Sequence, residues 1–317
     1  MMKNMRILLT GASSFTGMWF AEKLAEAGHA ITAAIRGPKD GYSGLRAERL
    51  ARLADACEFA WDAPFGGPKF LDLAKSASFD LFCHHAAEVK DYKSPHFDAT
   101  AAAAANSRNL GAVLSALRQG GCRRLLITGS VFEAEEGAGD MPLRAFSPYG
   151  LSKSLTAQIF RFHADAEGFC LGKFVIANPF GPYEEPRFTD YLMHCWKDGK
   201  PAKVNTPAYV RDNIPVSLLA CAYARFAGQL PQTGFRRFNP SYYAESQGSF
   251  AQRFAREMAA RLKLDTALDL AEQTEFPEPA MRINTDKIQP SDFNWSESGF
   301  WDETASYYAQ RLDIAAR

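Results

Sequence analysis

The chain opens with a strand-like apolar run, Met5–Thr10 (MRILLT), which turns through TGASSFTG (Thr10–Gly17) directly into a helical pattern at Phe15–Ala27. No other stretch restricts the fold as much. A glycine loop between a first strand and a first helix brings backbone amides and the positive end of a helix dipole to one point, where they can hold an anion. The arrangement needs a second strand beside the first. Ala30–Ile35 supplies it, after Gly28 and His29 close the helix.

The alternation continues. Further strands are predicted near Cys57–Trp61, Leu81–His84, Arg124–Thr128 and Lys173–Ala177, with helices near Arg46–Ala54, Phe97–Leu117 and Tyr149–Ala166. Strand–helix repetition of this kind implies right-handed crossovers and an α/β, doubly wound parallel sheet of the Rossmann type. The alanine run Ala101–Ala105 belongs inside a helix, since alanine is the best helix former. Past residue 178 prolines, aromatics and short pieces dominate, with strands expected at Gly234–Asn239 and Thr266–Leu270 and a closing helix at Gly299–Leu312. The expected division is residues 1–177 as a dinucleotide-binding domain and 178–317 mainly as a smaller α/β substrate-binding lobe, with about 209–240 returning to the first sheet.

A chain of 317 residues can bury a substantial core. Its 36 basic residues balance 36 acidic ones, which argues against nucleic acid as a partner. Any anionic ligand must then be gripped by a few placed cations. The cysteines are scattered without a CxxC pair and the histidines without HExxH spacing, so neither a disulfide framework nor a metal site is expected. No apolar run reaches the roughly 18 residues of a membrane span, and Met1–Leu9 is too short for a leader. The expectation is a cytoplasmic protein with no membrane partner.

Gly11 and Gly17 occupy the first and third glycine places of the loop, but the middle place is Ser14. The Ser13 and Ser14 hydroxyls are then candidates to donate to a pyrophosphate, with Phe15 and Thr16 completing the cradle. At the end of the second strand a carboxylate would bind the ribose 2′-hydroxyl of NAD. Here Ile35 is followed by Arg36, with Lys39 close behind. A guanidinium suits a 2′-phosphate, so NADP is expected ahead of NAD. Asp62, after the third strand, is placed to meet the adenine amino group.

Tyr149 and Lys153 stand four apart in SPYGLSK and share one helix face. A phenol with an ordinary pKa of about 10 is a poor base at neutral pH; an adjacent ammonium favours its phenolate. Lys153 can also hold a nicotinamide ribose. Thr128, in LLITGSVFE at the end of the fifth strand, offers a hydroxyl to orient the reacting oxygen.

Taken with HHAA (His84–Ala87), NPFGP (Asn178–Pro182), YVRD (Tyr209–Asp212) and RINTDK (Arg282–Lys287), these segments make the chain resemble the extended short-chain dehydrogenase/reductases of the NAD-dependent epimerase/dehydratase type, over nearly its whole length. The resemblance implies a catalytic triad of Thr128, Tyr149 and Lys153, cofactor contacts from the backbone of Ala86 and Ala87, and a match between Asn106 and the asparagine of the family's fourth helix. It gives His84 and His85 to packing. It also implies a nucleotide-sugar substrate whose diphosphate is held by Asn178, Arg211 and Arg282, and a homodimer formed through the Phe97–Leu117 and Tyr149–Ala166 helices.

Reaction type narrows by what is missing. The family's 4,6-dehydratases carry Asp-Glu directly after the threonine, where this chain has Gly129-Ser130, and neither can act as a carboxylate acid or base. Ser130 also stands where enzymes that epimerise C3 and C5 place a cysteine. Two activities remain: an NADPH-dependent reductase of a 4-keto nucleotide sugar, favoured by Arg36, and a 4-epimerase that retains its cofactor. A non-catalytic cofactor sensor on the same fold, and a reductase of some non-nucleotide carbonyl compound, are further alternatives. Glu133 and the acidic stretch Glu135–Asp140 are expected to form a mobile flap.

Overall fold

In the computed structural model, which describes residues 4–314, every residue of the first strand after Arg6 is buried. A short strand covered on both faces belongs in the interior of a parallel sheet flanked by helices. The strands β1 (Arg6–Thr10), β2 (Ala30–Ala34), β3 (Cys57–Ala60), β4 (Leu81–His84) and β5 (Arg124–Ser130) are joined by Cys170–Ile176 and Phe235–Phe238. All seven are parallel, in the order β3-β2-β1-β4-β5 followed by Cys170–Ile176 and Phe235–Phe238. The sheet is therefore doubly wound, and strand order reverses between β1 and β4, the place where such sheets bind ligands.

Helices α1 (Phe15–Glu26), α2 (Gly44–Arg52), α3 (Pro68–Ser76), α4 (Ala99–Asn106), α5 (Leu110–Gln119) and α6 (Pro148–Glu167) complete the alternation. Phe70 of α3, Leu114 and Leu117 of α5 and Phe160 of α6 close one apolar layer over Leu8, Phe82 and Leu125. On α1, Phe20 stacks on Tyr223 at 3.9 Å and meets Phe174 edge-on at 5.9 Å. The single helix expected over Phe97–Leu117 is two. Asn109 is left-handed (φ 51°) and its Nδ2 donates to the Gly66 carbonyl at 2.7 Å, so one side chain both breaks the helix and pins the α3 entry loop to the break.

The chain divides into two compact units, Met1–Glu136, Leu143–Ile176 and Ala220–Asn239 in one, and Gly137–Pro142, Ala177–Leu219 and Pro240–Arg317 in the other. The segment rejoining the first unit thus starts at Ala220, later than residue 209, because Val210–Pro215 pairs in a second sheet. That sheet holds Tyr243–Ser246, Val210–Pro215, Met281–Ile283 and Ala138–Gly139, with Asn178–Phe180 also paired to Val210–Pro215. Ala202–Val204 pairs separately with Leu268–Leu270. Trp196, Phe250, Phe254, Trp301 and Tyr308 form the second unit's core.

The acidic flap does not exist as such. Glu133 and Glu136 are buried in the first unit, and Ala138–Gly139 is an antiparallel strand against Arg282–Ile283 in the second. Among the described residues, no helix is long and apolar enough to cross a membrane.

Candidate active site

The glycine loop is built by close approach. Gly11 has φ +84°, and a Cβ on Gly17 would lie 2.1 Å from the Gly11 carbonyl oxygen, so only glycine lets α1 start this near β1. Helices leave their first amides without intrahelical acceptors; Gly17 N–H is met by Ser14 Oγ at 3.1 Å and Met18 N–H by the Ser14 carbonyl, which leaves Phe15 and Thr16 N–H to offer an anion. The Phe15 ring is itself buried in the core.

Ser14, the residue standing in a glycine's place, points inward. Its hydroxyl donates to the Gly11 carbonyl at 2.8 Å while accepting from Gly17 N–H. It has no proton left for a phosphate, contrary to the sequence expectation, and works as the cap of α1. The Ser13 hydroxyl makes no hydrogen bond among the described residues. Behind the loop, the fully buried Arg49 of α2 donates to the Ser13 carbonyl at 3.4 Å, a cation that nothing in its sequence context distinguished.

At the end of β2, Arg36 is exposed and makes no hydrogen bond or ion pair among the described residues. Exposed Asp62 is left-handed (φ 54°), its amide donating to the Gly37 carbonyl at 3.0 Å.

Register aligns the carboxyl ends of the central strands. Thr10 lies opposite His84 and His84 opposite Ile127, which brings Thr128 level with the loop after β4. Successive strand residues face opposite ways, and the His84–His85 doublet shows the consequence. His84 turns into the sheet's packed layer, contacting Thr10 Oγ1 through Nδ1 at 3.0 Å and the Asn106 carbonyl through Nε2 at 3.0 Å. Thr10 Oγ1 in turn accepts from the amides of His85 and Ala86, both at 3.2 Å, which fixes the Ala86–Ala87 backbone beside Gly11. Asn106 is buried and structural, accepting from Glu88 N–H at 2.7 Å and donating to Thr156 Oγ1 at 3.2 Å.

His85 does the opposite. Its Nδ1 lies 2.9 Å from Thr128 Oγ1, and its Nε2 lies 2.9 Å from Thr16 Oγ1 and 3.2 Å from Ser14 Oγ. The ring therefore joins the candidate threonine to the glycine loop. Sequence reasoning assigned both histidines to packing and missed this one; strand alternation carried the signal, since two adjacent strand-end residues cannot both face the core. Burial, reinforced by the Lys153 ammonium and by His84, pushes the His85 pKa down to about 3, so the ring is neutral.

Tyr149 and Lys153 lie on α6, whose start is fixed by Pro148 and by Ser147, the side chain of which accepts from Gly150 N–H at 3.0 Å. The Tyr149 ring meets Tyr92 at 5.2 Å and Phe97 at 6.3 Å, both edge-on. Lys153 is 7 % exposed and donates no hydrogen bond among the described residues. Burial lowers its pKa, Glu133 opposes that fall and Lys173 adds to it. A buried ammonium without a protein acceptor is costly and fits a group that brings hydroxyls of its own, as a dinucleotide ribose would.

Beneath this site lies a buried ion cluster, which the exposed Arg237 joins through Glu136 at 3.6 Å. Glu133, fully buried, accepts from Ser130 N–H at 2.7 Å and from Lys173 Nζ at 2.5 Å; Lys173 also donates to Glu136 at 2.8 Å, and Asn239 donates to Glu136 at 2.8 Å. A Cβ on Gly129 would stand 2.7 Å from Lys173 Cε and 2.9 Å from Glu133 Oε1.

In the second unit, Arg211 and Arg282 are register partners on neighbouring parallel strands, and Asn178 is the register partner of Asn213. Arg211 is held by Glu278 at 2.8 Å and by the Val210 and Ala280 carbonyls, and packs over Tyr209 at 4.6 Å; it does not pair with its neighbour Asp212. Arg282 is almost wholly buried, and the Asn178 amide makes no hydrogen bond among the described residues.

A sheet reversing at a glycine loop, with a buried lysine one helical turn beyond a tyrosine and a β5 threonine linked to the loop through His85, defines a nicotinamide-dinucleotide oxidoreductase of the extended short-chain dehydrogenase class. The model of the NAD dependent epimerase/dehydratase family matches residues 7–238, and the chain belongs to that family. A UDP-glucose 4-epimerase of Mycolicibacterium smegmatis is 27% identical over 251 residues, 74% of this chain and 76% of that protein. Among solved structures, a UDP-glucose 4-epimerase from Stenotrophomonas maltophila with bound NAD and formylated UDP-arabinopyranose superposes with a TM-score of 0.73 at 16% identity, covering 98% of this chain and 100% of that one. A UDP-glucuronic acid 4-epimerase from Bacillus cereus, in complex with UDP-glucuronic acid and NAD, gives 0.72 at 14% identity, covering 97% and 100%. A dTDP-glucose 4,6-dehydratase from Streptomyces venezuelae with NAD bound gives 0.70 at 16%, covering 98% and 98%.

Proposed function

We propose that the chain performs reversible redox chemistry at C4 of a nucleoside-diphosphate sugar, as a 4-epimerase. The observation that carries the redox half is the buried, unpartnered Lys153 four residues beyond Tyr149 on α6. The identity to a UDP-glucose 4-epimerase over three quarters of the chain supports the choice of reaction. When bound, the dinucleotide supplies a hydride acceptor and donor at its nicotinamide ring. Tyr149 acts as the base that removes the substrate hydroxyl's proton and the acid that returns it. Lys153 holds ribose hydroxyls and, as a nearby cation, stabilises the phenolate. Thr128 fixes the reacting oxygen. Gly11, Ser13, Phe15 and Thr16 take the pyrophosphate, through amides and hydroxyls, Gly17 lets the helix start come close enough, and Ala86 and Ala87 are backbone walls.

In the second unit, Asn178, Arg211 and Arg282 are assigned to the diphosphate. Two guanidinium groups in register on adjacent strands present the forked donors that suit a diphosphate. Glu278 pairs with Arg211 in the unliganded chain. The assembly proposed is a homodimer through α4, α5 and α6, where Phe162 stands 70% exposed.

One observation favours a second reading. Arg36 is exposed and uncommitted where a NAD enzyme would place a carboxylate, which suits NADP and an NADPH-consuming 4-keto reductase. The two separate by analysing the nucleotide released on denaturing the purified protein and by incubating the enzyme with UDP-galactose. Interconversion with UDP-glucose and a retained NAD support the epimerase; no interconversion, with oxidation of added NADPH by a 4-keto nucleotide sugar, supports the reductase. Dinucleotide binding without turnover of either would leave a cofactor sensor. Tyr149→Phe should abolish turnover and keep dinucleotide binding, and retained turnover rules the assignment out.

A further inference from the structure

The Thr128 hydroxyl has a single hydrogen-bond partner among the described residues, His85 Nδ1, and that partner's proton can be located by counting. A neutral imidazole carries one N–H. Ser14 has spent its only hydroxyl proton on the Gly11 carbonyl and already accepts from Gly17 N–H. Its contact with His85 Nε2 can therefore be a hydrogen bond only if Nε2 carries the proton. Thr16 Oγ1, at 2.9 Å, shares that donor, which leaves its own hydrogen uncommitted. Nδ1 is then a bare lone pair, and the group facing it is the Thr128 hydroxyl. The opposite tautomer could keep a bond from Thr16 but would set the Nε2 lone pair against the lone pairs of Ser14, losing that contact.

We infer that His85 is a positioning residue that accepts the Thr128 hydroxyl proton in the unliganded site and so sets where that hydroxyl stands for the substrate. This rests on the reading that Thr128 and Tyr149 act on a substrate oxygen, and it deepens that reading. Ser14 acquires a role as well: by capping α1 and receiving Nε2–H it fixes the tautomer from the far side of the ring. The charged or titratable groups facing the ring are Lys153 and His84, and both oppose a second proton on it.

The test does not need turnover. Protein labelled with ¹⁵N-histidine is followed by long-range proton–nitrogen correlation from about pH 5.5 to 8.5, the range in which an ordinary histidine titrates, with His85→Asn used for assignment. The expected result is a neutral Nε2–H ring throughout, with an Nδ1 resonance that moves in Thr128→Val as its donor disappears. An Nδ1–H tautomer, protonation within that range, or an Nδ1 signal indifferent to Thr128→Val overturns the inference. Kinetics with UDP-galactose form the second arm. His85→Phe keeps a ring and loses the acceptor, and is expected to lower kcat about tenfold, roughly one hydrogen bond in the transition state, with KM little changed. His85→Phe/Thr128→Val should be no worse than Thr128→Val alone; additive losses count against the coupling. If wild-type protein turns over no nucleotide sugar, the proposed function fails while the tautomer measurement still decides this point.

Discussion

Replacing Glu133 by glutamine tests whether the ion cluster beneath β5 sustains the site. Glu133 is fully buried and accepts on its two oxygens from Ser130 N–H at 2.7 Å and from Lys173 Nζ at 2.5 Å. A carboxylate can accept from both, but an amide has one oxygen, so one donor must face an NH₂ whichever way the glutamine turns. Breaking a buried pair outright costs about 3–5 kcal/mol. Lys173 keeps Glu136 at 2.8 Å, so the lower end applies, about 3 kcal/mol. For a unit of this size that is a fall in Tm of about 6–12 °C. Lys173→Met should cost more, because two buried carboxylates then lose their shared cation. The Glu133→Gln/Lys173→Met double variant should lose less than the sum, by about 1–3 kcal/mol of coupling. A functional consequence follows, since Glu133 helps keep Lys153 protonated. Without its charge the Lys153 pKa falls further, and the alkaline limb of the activity profile should move to lower pH. Thermal unfolding of the four proteins reads the cycle. A Glu133→Gln Tm within about a degree of wild type, or additive singles, would refute the reasoning.

Three further outcomes are expected. Arg36→Glu should weaken NADP binding about tenfold or more, the worth of one charge-assisted pair, and leave NAD binding near wild type, read by titration of each dinucleotide; equal effects on both would remove Arg36 from the 2′-phosphate. Gly129→Asp should lower Tm without conferring 4,6-dehydration, because its Cβ falls 2.7 Å from Lys173 Cε; a stable variant with dehydratase activity would contradict this. Glu184, buried in the second unit beside Thr189, has its carboxyl pushed by burial from 4.5 to about 7, against the pull of Arg187. The folded chain therefore holds a proton that the unfolded chain releases at lower pH, so this group's contribution is full below about pH 4.5 and falls as pH rises through 7. Wild-type Tm should decline between about pH 5 and 8 relative to Glu184→Gln, and parallel curves would show the residue to be silent.

Much of the first unit is legible in sequence because parallel strands buried on both faces are short apolar runs, and helices between them carry a 3.6-residue period. What escaped was set by contacts distant in sequence. The Phe97–Leu117 pattern reads as one helix, since alanines up to Ala105 and the Leu110–Leu117 run flank Ser107–Asn109 closely; the break depends on Asn109 reaching the Gly66 carbonyl 43 residues earlier. Glu133–Asp140 reads as a solvated acidic flap because charge runs usually are, yet Lys173 and Asn239 supply the partners that bury Glu133 and Glu136. The same blindness affected the candidate site. Thr128, Tyr149 and Lys153 are legible by type and spacing. His85 is not, because its meaning lies in which way one member of a doublet points. Ser14 looked like a defect in the loop until the direction of its hydroxyl explained it.

The absence of a carboxylate after Thr128 is more than a missing catalytic group. Position 129 sits on a strand whose back is pressed against the Lys173 stem and a Glu133 oxygen, each closer to a hypothetical Cβ than real Cβ contacts come. Any side chain there would have to push the buried cluster apart, at a cost of about 1–3 kcal/mol for overpacking alone. The cluster resists yielding because its buried charges lean on one another: Glu133 on Lys173, Glu136 on Lys173 and on Arg237, and Lys173 on both carboxylates, which together outweigh burial and hold its ammonium above the ordinary value. Glu133 is also the charge that opposes the loss of Lys153's proton. One buried network thus opposes an acid at 129 and favours a protonated Lys153, as the proposed chemistry needs. Seating a carboxylate at 129 would call for accompanying changes at 133 and 173, so no single substitution at 129 should produce a dehydratase.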